Sequence, residues 1–98
     1  MSRRTFTLET ANRLITEDRA AEYGSAITSF NRIAALWSTY LGAHVCAEDV
    51  ALMMVLLKTV RARSSPRKQD SYDDMCGYSA LAAELAIGEL TDEEKATL

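Results

Sequence analysis

The sequence predicts an all-α fold, a compact bundle of about four helices with a short helical turn at the C-terminus. Two observations carry this. One proline and four glycines in 98 residues leave little punctuation, and every long segment repeats its apolar residues at intervals of three and four, with no strict alternation. The chain is one domain over residues 1–98, near the low end of length for a self-sufficient core. Its 48% hydrophobic and 26% charged residues are an ordinary globular balance.

The first helix is expected from about Thr7, as N-cap, to Ala21, with Leu8, Ala11, Leu14 and Ile15 as its apolar stripe. Tyr23-Gly24-Ser25 breaks it: Gly24 suits a left-handed C-cap and Ser25 caps the next helix. The second helix, Ala26 to Leu41, is the clearest amphipath, through Ile27, Phe30, Ile33, Ala34, Trp37 and Leu41. Trp37 and Tyr40 are read as packing residues, and Gly42 ends the helix.

The third helix runs from Ala47 to Arg63. Its acidic start, Glu48 and Asp49, and its basic end, Lys58, Arg61 and Arg63, match the helix dipole. The run Val50 to Leu57 is apolar on every face, which predicts burial all round, at a bundle centre or an oligomer interface. A homo-oligomer is therefore expected. Ser64 to Gln69 is a polar loop able to act as a lid. Asp70 is expected to cap the fourth helix, which runs to Gly88 with Met75, Tyr78, Ala82 and Leu85 on its apolar face. Thr91 to Glu94 has capping-box spacing.

Composition narrows the function. A net charge of −3 argues against non-specific binding to long DNA or RNA. Met1-Ser-Arg-Arg4 is not followed by an apolar signal-peptide core, and Val50 to Leu57 is too short to span a bilayer, so a cytoplasmic protein without membrane attachment is expected. Cys46, Cys76 and His44 lack zinc-site spacing; the cysteines read as buried free thiols and His44 as a solvated loop residue.

The segment Asp70-Ser-Tyr-Asp-Asp74 after the basic stretch Arg61 to Lys68 is the main functional candidate. Asp70 and Asp74 lie one helical turn apart on one face, a spacing that lets two carboxylates share a divalent cation such as magnesium. Lys58, Arg61 and Arg63 would neutralise phosphate. Tyr72 or Tyr78, and Tyr23 at the first break, would stack on a base, with Asn31 as a hydrogen-bond partner. Against this stands the simpler reading in which Lys58 or Arg61 pairs with Asp70 or Asp74 only to pin the loop.

Several segments together resemble a family of small phage and prophage proteins, across residues 17 to 85. They are Arg19-Ala-Ala-Glu-Tyr-Gly24; Phe30-x-x-Ile33-Ala-x-Leu36-Trp-x-x-Tyr40-Leu-Gly42; Asp49-Val-Ala-Leu-Met-Met54 with Lys58-x-x-Arg61; and Asp70-Ser-Tyr-x-Asp74-x-x-Gly77-Tyr78. The last is more distantly similar to the second acidic helix of the MazG-like all-α nucleotide pyrophosphohydrolases. That resemblance implies a magnesium-dependent, oligomeric enzyme in which Asp70 and Asp74 hold metal. The first acidic pair of that family, ExxE, is missing here, since the third helix offers only the adjacent Glu48 and Asp49. The phage family itself brings no settled activity; phage context together with the incomplete acidic set suggests a nucleotide-binding protein that sequesters a host nucleotide signal, such as a cyclic oligonucleotide, without turning it over. The alternatives are the pyrophosphohydrolase and a module that inhibits a host enzyme by protein contact.

Overall fold

The computed structural model describes residues 1–18 and 25–98. Its helices are α1 (Arg3–Arg13), which continues into a π-helical turn (Leu14–Asp18), α2 (Ala26–Leu41), α3 (Ala47–Ser64), α4 (Gln69–Ile87) and α5 (Asp92–Lys95). Among the described residues 79% are helical and none is in a strand. The all-α bundle is thus observed, with α3 and α4 as its central pair and α1 and α2 packed against them.

The helix limits follow from local chemistry, with two corrections. α1 begins at Arg3 because Ser2 is its N-cap, the Ser2 hydroxyl accepting from the Thr5 N–H at 3.1 Å. Thr7, expected as that cap, lies inside the helix, where its hydroxyl donates to the Arg3 carbonyl. Likewise Asp70 does not cap α4. The N-cap is Lys68 and Asp70 sits in the first turn, where its charge still suits the dipole. The expected C-cap Gly24 and the end of the first helix at Ala21 lie outside the described residues.

α2 spans the expected range. Gly42 closes it in the left-handed region (φ 67°), where a Cβ would be strained. Ser38 then ties the α2–α3 link down: its hydroxyl accepts from the Val45 N–H and donates to the Val45 carbonyl. His44 is exposed in that link, and Tyr40, read as a packing residue, faces solvent; Trp37 packs against the core. Cys46 and Cys76 are free thiols, half-buried rather than buried.

The core is Phe30 and Ala34 of α2, Ala47, Val50 and Ala51 of α3, and Tyr78, Leu81 and Ala82 of α4. Phe30 and Tyr78 meet with ring centroids 6.0 Å apart. Gly77 lets α1 approach α4: a Cβ there would lie 3.0 Å from Ile15 Cγ2 of the π-helical turn. The expectation that Val50 to Leu57 is inaccessible does not hold within one chain. Val50 and Ala51 are fully buried and Met54 and Val55 half-buried, whereas Leu52, Met53, Leu56 and Leu57 are exposed. Among the described residues the helix meets neighbours on one side only.

The start of α3 carries a pH-sensitive cap. Asp49 accepts from the Cys46 N–H at 3.0 Å and from its thiol at 3.3 Å, and these bonds hold its carboxyl below the usual aspartate range. A carboxyl lowered in the folded state adds stability above its ordinary pKa, and the contribution is lost as pH falls through the lowered value. Thermal melts between pH 6 and 2 should show a fall in melting temperature at the acid end that is shallower in Asp49→Asn.

Candidate functional site

The N-terminal ends of α1 and α4 lie at one open cleft of about 1000 Å³. α1 contributes Arg3, Arg4, Thr7 and Leu8; the α3–α4 loop contributes Pro66 and Arg67; α4 contributes Gln69, Tyr72, Met75 and Cys76. Three arginines, Arg3, Arg4 and Arg67, therefore line a largely apolar cleft. The N-cap of α4, Lys68, makes no side-chain capping bond to the helix. The exposed N–H groups of a helix start and its positive dipole end favour an anion at such a place.

A hydrogen-bonded clamp holds the cleft together. Gln69 donates through Nε2 to Thr7 Oγ1 and to Asp73 Oδ1, both at 2.8 Å, and its Oε1 accepts from Arg3 Nη1 at 3.3 Å. Asp73 is 5% exposed, so this carboxylate is oriented by a neighbour rather than by water. The clamp also orients Arg3, whose guanidinium lies 6.0 Å over the Phe6 ring. Tyr72 donates its hydroxyl to the Pro66 carbonyl at 2.7 Å, fixing its ring across the loop at the cleft wall. Replacing Gln69 with Ala should cost about 1–3 kcal/mol, because it strands the Asp73 carboxylate and releases α1. Melting temperature should drop by roughly 4–8 °C per kcal/mol, with amide protection lost first in α1.

The residues expected from sequence divide among several places. Tyr72 lines the cleft. Lys58 reaches Asp74 instead, Nζ to Oδ2 at 2.9 Å, with both side chains about four-fifths buried. This ion pair pins α3 to α4, as the simpler reading has it. Asp74 and Tyr78 border a second cavity of about 280 Å³, together with Asp73 and apolar residues of the π-helical turn and α2. Tyr78 is largely buried against Phe30. Arg61, Arg63, Asp70 and Asn31 are exposed and line neither cavity. Tyr23 lies outside the described residues. Among the described residues no three His, Cys, Asp or Glu side chains gather to hold a metal ion. No described helix is long and apolar enough to cross a membrane.

The sequence reading missed Arg3, Arg4 and Gln69, and it treated Arg67 only as part of a basic stretch. A composition signal existed in Arg3-Arg4 and Arg67-Lys68, two basic pairs in a net acidic chain. What joins them is the packing of α1 on α4 across more than sixty residues of sequence.

The fold and the cleft define a small helical-bundle protein with an arginine-lined opening. The chain belongs to the family described as Domain of unknown function (DUF6378), which matches residues 6–86. It is similar to the Gene 55 protein of Mycobacterium phage L5, with 39% identity over 83 residues, 84% of this chain and 53% of that protein. It is also similar to the Gene 55 protein of Mycobacterium phage D29, with 40% identity over 72 residues, 74% of this chain and 48% of that protein. The chain thus spans about half the length of these curated phage relatives. No solved structure matches it.

Proposed function

We propose that this phage-family protein binds a nucleotide or nucleotide-derived ligand in the cleft between α1 and α4 and holds it without cleaving it. The observation that carries this reading is the convergence of Arg3, Arg4 and Arg67 on an apolar cleft at two helix N-termini. Arginine side chains and the start of α4, which lacks a side-chain cap, suit phosphate oxygens, while the Tyr72 ring with Leu8 and Met75 suits a base. A volume of about 1000 Å³ is at the upper end of ligand pockets, which accommodates a dinucleotide or cyclic oligonucleotide as well as a mononucleotide. In a phage protein, such binding serves to sequester a host nucleotide signal and so blunt an antiviral defence.

The MazG-like reading would instead put chemistry at Asp70 and Asp74. It has less support. Asp74 is engaged by Lys58, Asp70 is exposed on α4, and the arginine-lined cleft is formed by other residues. The deciding experiment is isothermal titration calorimetry with mononucleotides, linear dinucleotides and cyclic di- and trinucleotides, with and without magnesium, followed by chromatography of the mixtures. Binding with intact ligand recovered supports sequestration. Magnesium-dependent release of pyrophosphate favours the enzyme, and no binding across the panel removes the nucleotide reading.

A further inference from the structure

The outer face of α3 carries an exposed apolar stripe with an acid at one end and a base at the other. At about 100° per residue, Leu52, Leu56 and Val60 fall in one arc opposite Ala51 and Met54, which face the core, with Met53 and Leu57 at its edge toward Val50. All five are exposed, Leu56 and Val60 each 66%. Asp49 and Arg63 lie in the same arc, one at each end of the stripe and both exposed. This order, acid at the N-terminal end, apolar centre and base at the C-terminal end, complements itself only when two such helices run antiparallel.

We propose that two copies pair through α3 about a two-fold axis at Leu56. In that register Leu56 meets Leu56 of the other copy, Leu52 meets Val60, and Asp49 meets Arg63, seven residues either side of the axis. Asp49 engages Cys46 through Oδ2 alone, which leaves Oδ1 for the guanidinium. A two-fold interface requires a patch complementary to itself, and this arc is one.

The size of the surface agrees. The chain exposes 7253 Å², whereas a compact monomer of 10.8 kDa exposes about 5500 Å² by the usual scaling. Its radius of gyration, 14.7 Å, also exceeds the roughly 12.6 Å of a compact domain of this length. The exposed C-terminal segment 88–98 and the apolar stripe of α3 both contribute to this excess.

Sedimentation equilibrium of the full chain at micromolar concentration tests this, alongside circular dichroism to follow the fold. The parent protein should be a dimer, and Leu56→Glu a folded monomer. Arg63→Glu should raise the dimer dissociation constant tenfold or more, by setting two carboxylates face to face. Because Asp49→Arg also removes the α3 cap, the informative comparison is Asp49→Arg alone against Asp49→Arg with Arg63→Glu. The double variant should dimerise more tightly than the single one, as opposite charges meet again. A parent protein that stays monomeric at tens of micromolar overturns the proposal. So does an assembly whose affinity neither Leu56→Glu nor Arg63→Glu changes. If Leu56→Glu does not fold, the Arg63→Glu and Asp49→Arg comparisons decide.

Discussion

Replacing Val50 with Asp should abolish the folded state. Val50 is 0% exposed, in the cluster where α2, α3 and α4 meet through Phe30, Ala34, Ala51 and Leu81. A carboxylate there loses its water and finds no partner, and neutralising it leaves a polar group in a dry site at a cost of several kcal/mol. The methyl contacts of valine are lost in addition. Natural domains hold only about 5–15 kcal/mol in reserve, and a 98-residue chain with this small a core belongs toward the lower end. Circular dichroism should show the helical signal of Val50→Asp lost or without a cooperative melt at 25 °C. The same change at Leu56, six residues along the same helix, should leave the helical content intact, because that side chain lies on the outer face. Equal effects at both positions would mean that α3 is buried on every side.

That contrast marks how far the sequence could be read. Existence, type and limits of α2 and α3 were legible because caps and apolar period agree: Ser25 before Ala26, Gly42 after Leu41, acids at Glu48 and Asp49 and bases at Arg61 and Arg63. Where the polar pattern is silent, as from Val50 to Leu57, periodicity has nothing to distinguish an inner from an outer face, and only the packing of neighbours shows it. The start of α1 was misread because Ser2 and Thr7 are both good caps, and the choice rests on which hydroxyl reaches an N–H. The candidate site was half legible. Asp70 to Asp74 drew attention as a charge cluster, but its members part company on the helix: Asp73 turns in to Gln69, Asp74 to Lys58, and Asp70 to solvent. Tyr72, expected from sequence to stack on a base, lines the cleft, while Arg3 and Arg4 come to it from the far end of the chain.

Replacing Arg67 with Glu should reduce ligand affinity severely while leaving the fold unchanged. Arg67 is exposed in the short loop before α4 and lines the cleft, so its loss removes a guanidinium from the ligand without opening the core. A lost charge-assisted hydrogen bond is worth about 1.5–3 kcal/mol, or roughly ten- to 150-fold in dissociation constant at about 1.4 kcal/mol per tenfold. The introduced carboxylate adds repulsion of phosphate to that loss. Arg61→Ala provides the comparison that separates the two basic clusters. Arg61 is the phosphate contact expected from sequence, yet it lines neither cavity, so its removal should change affinity within twofold. Calorimetry with whichever panel nucleotide binds the parent protein, at 50 and 300 mM salt, reads both variants. The parent should weaken as salt rises, because screening reduces the attraction of Arg3, Arg4 and Arg67 for phosphate, and the gap between parent and Arg67→Glu should narrow with it. A large loss in Arg61→Ala with none in Arg67→Glu would move the binding site from the α1–α4 cleft to the end of α3, and the functional reading given to the cleft would fall with it.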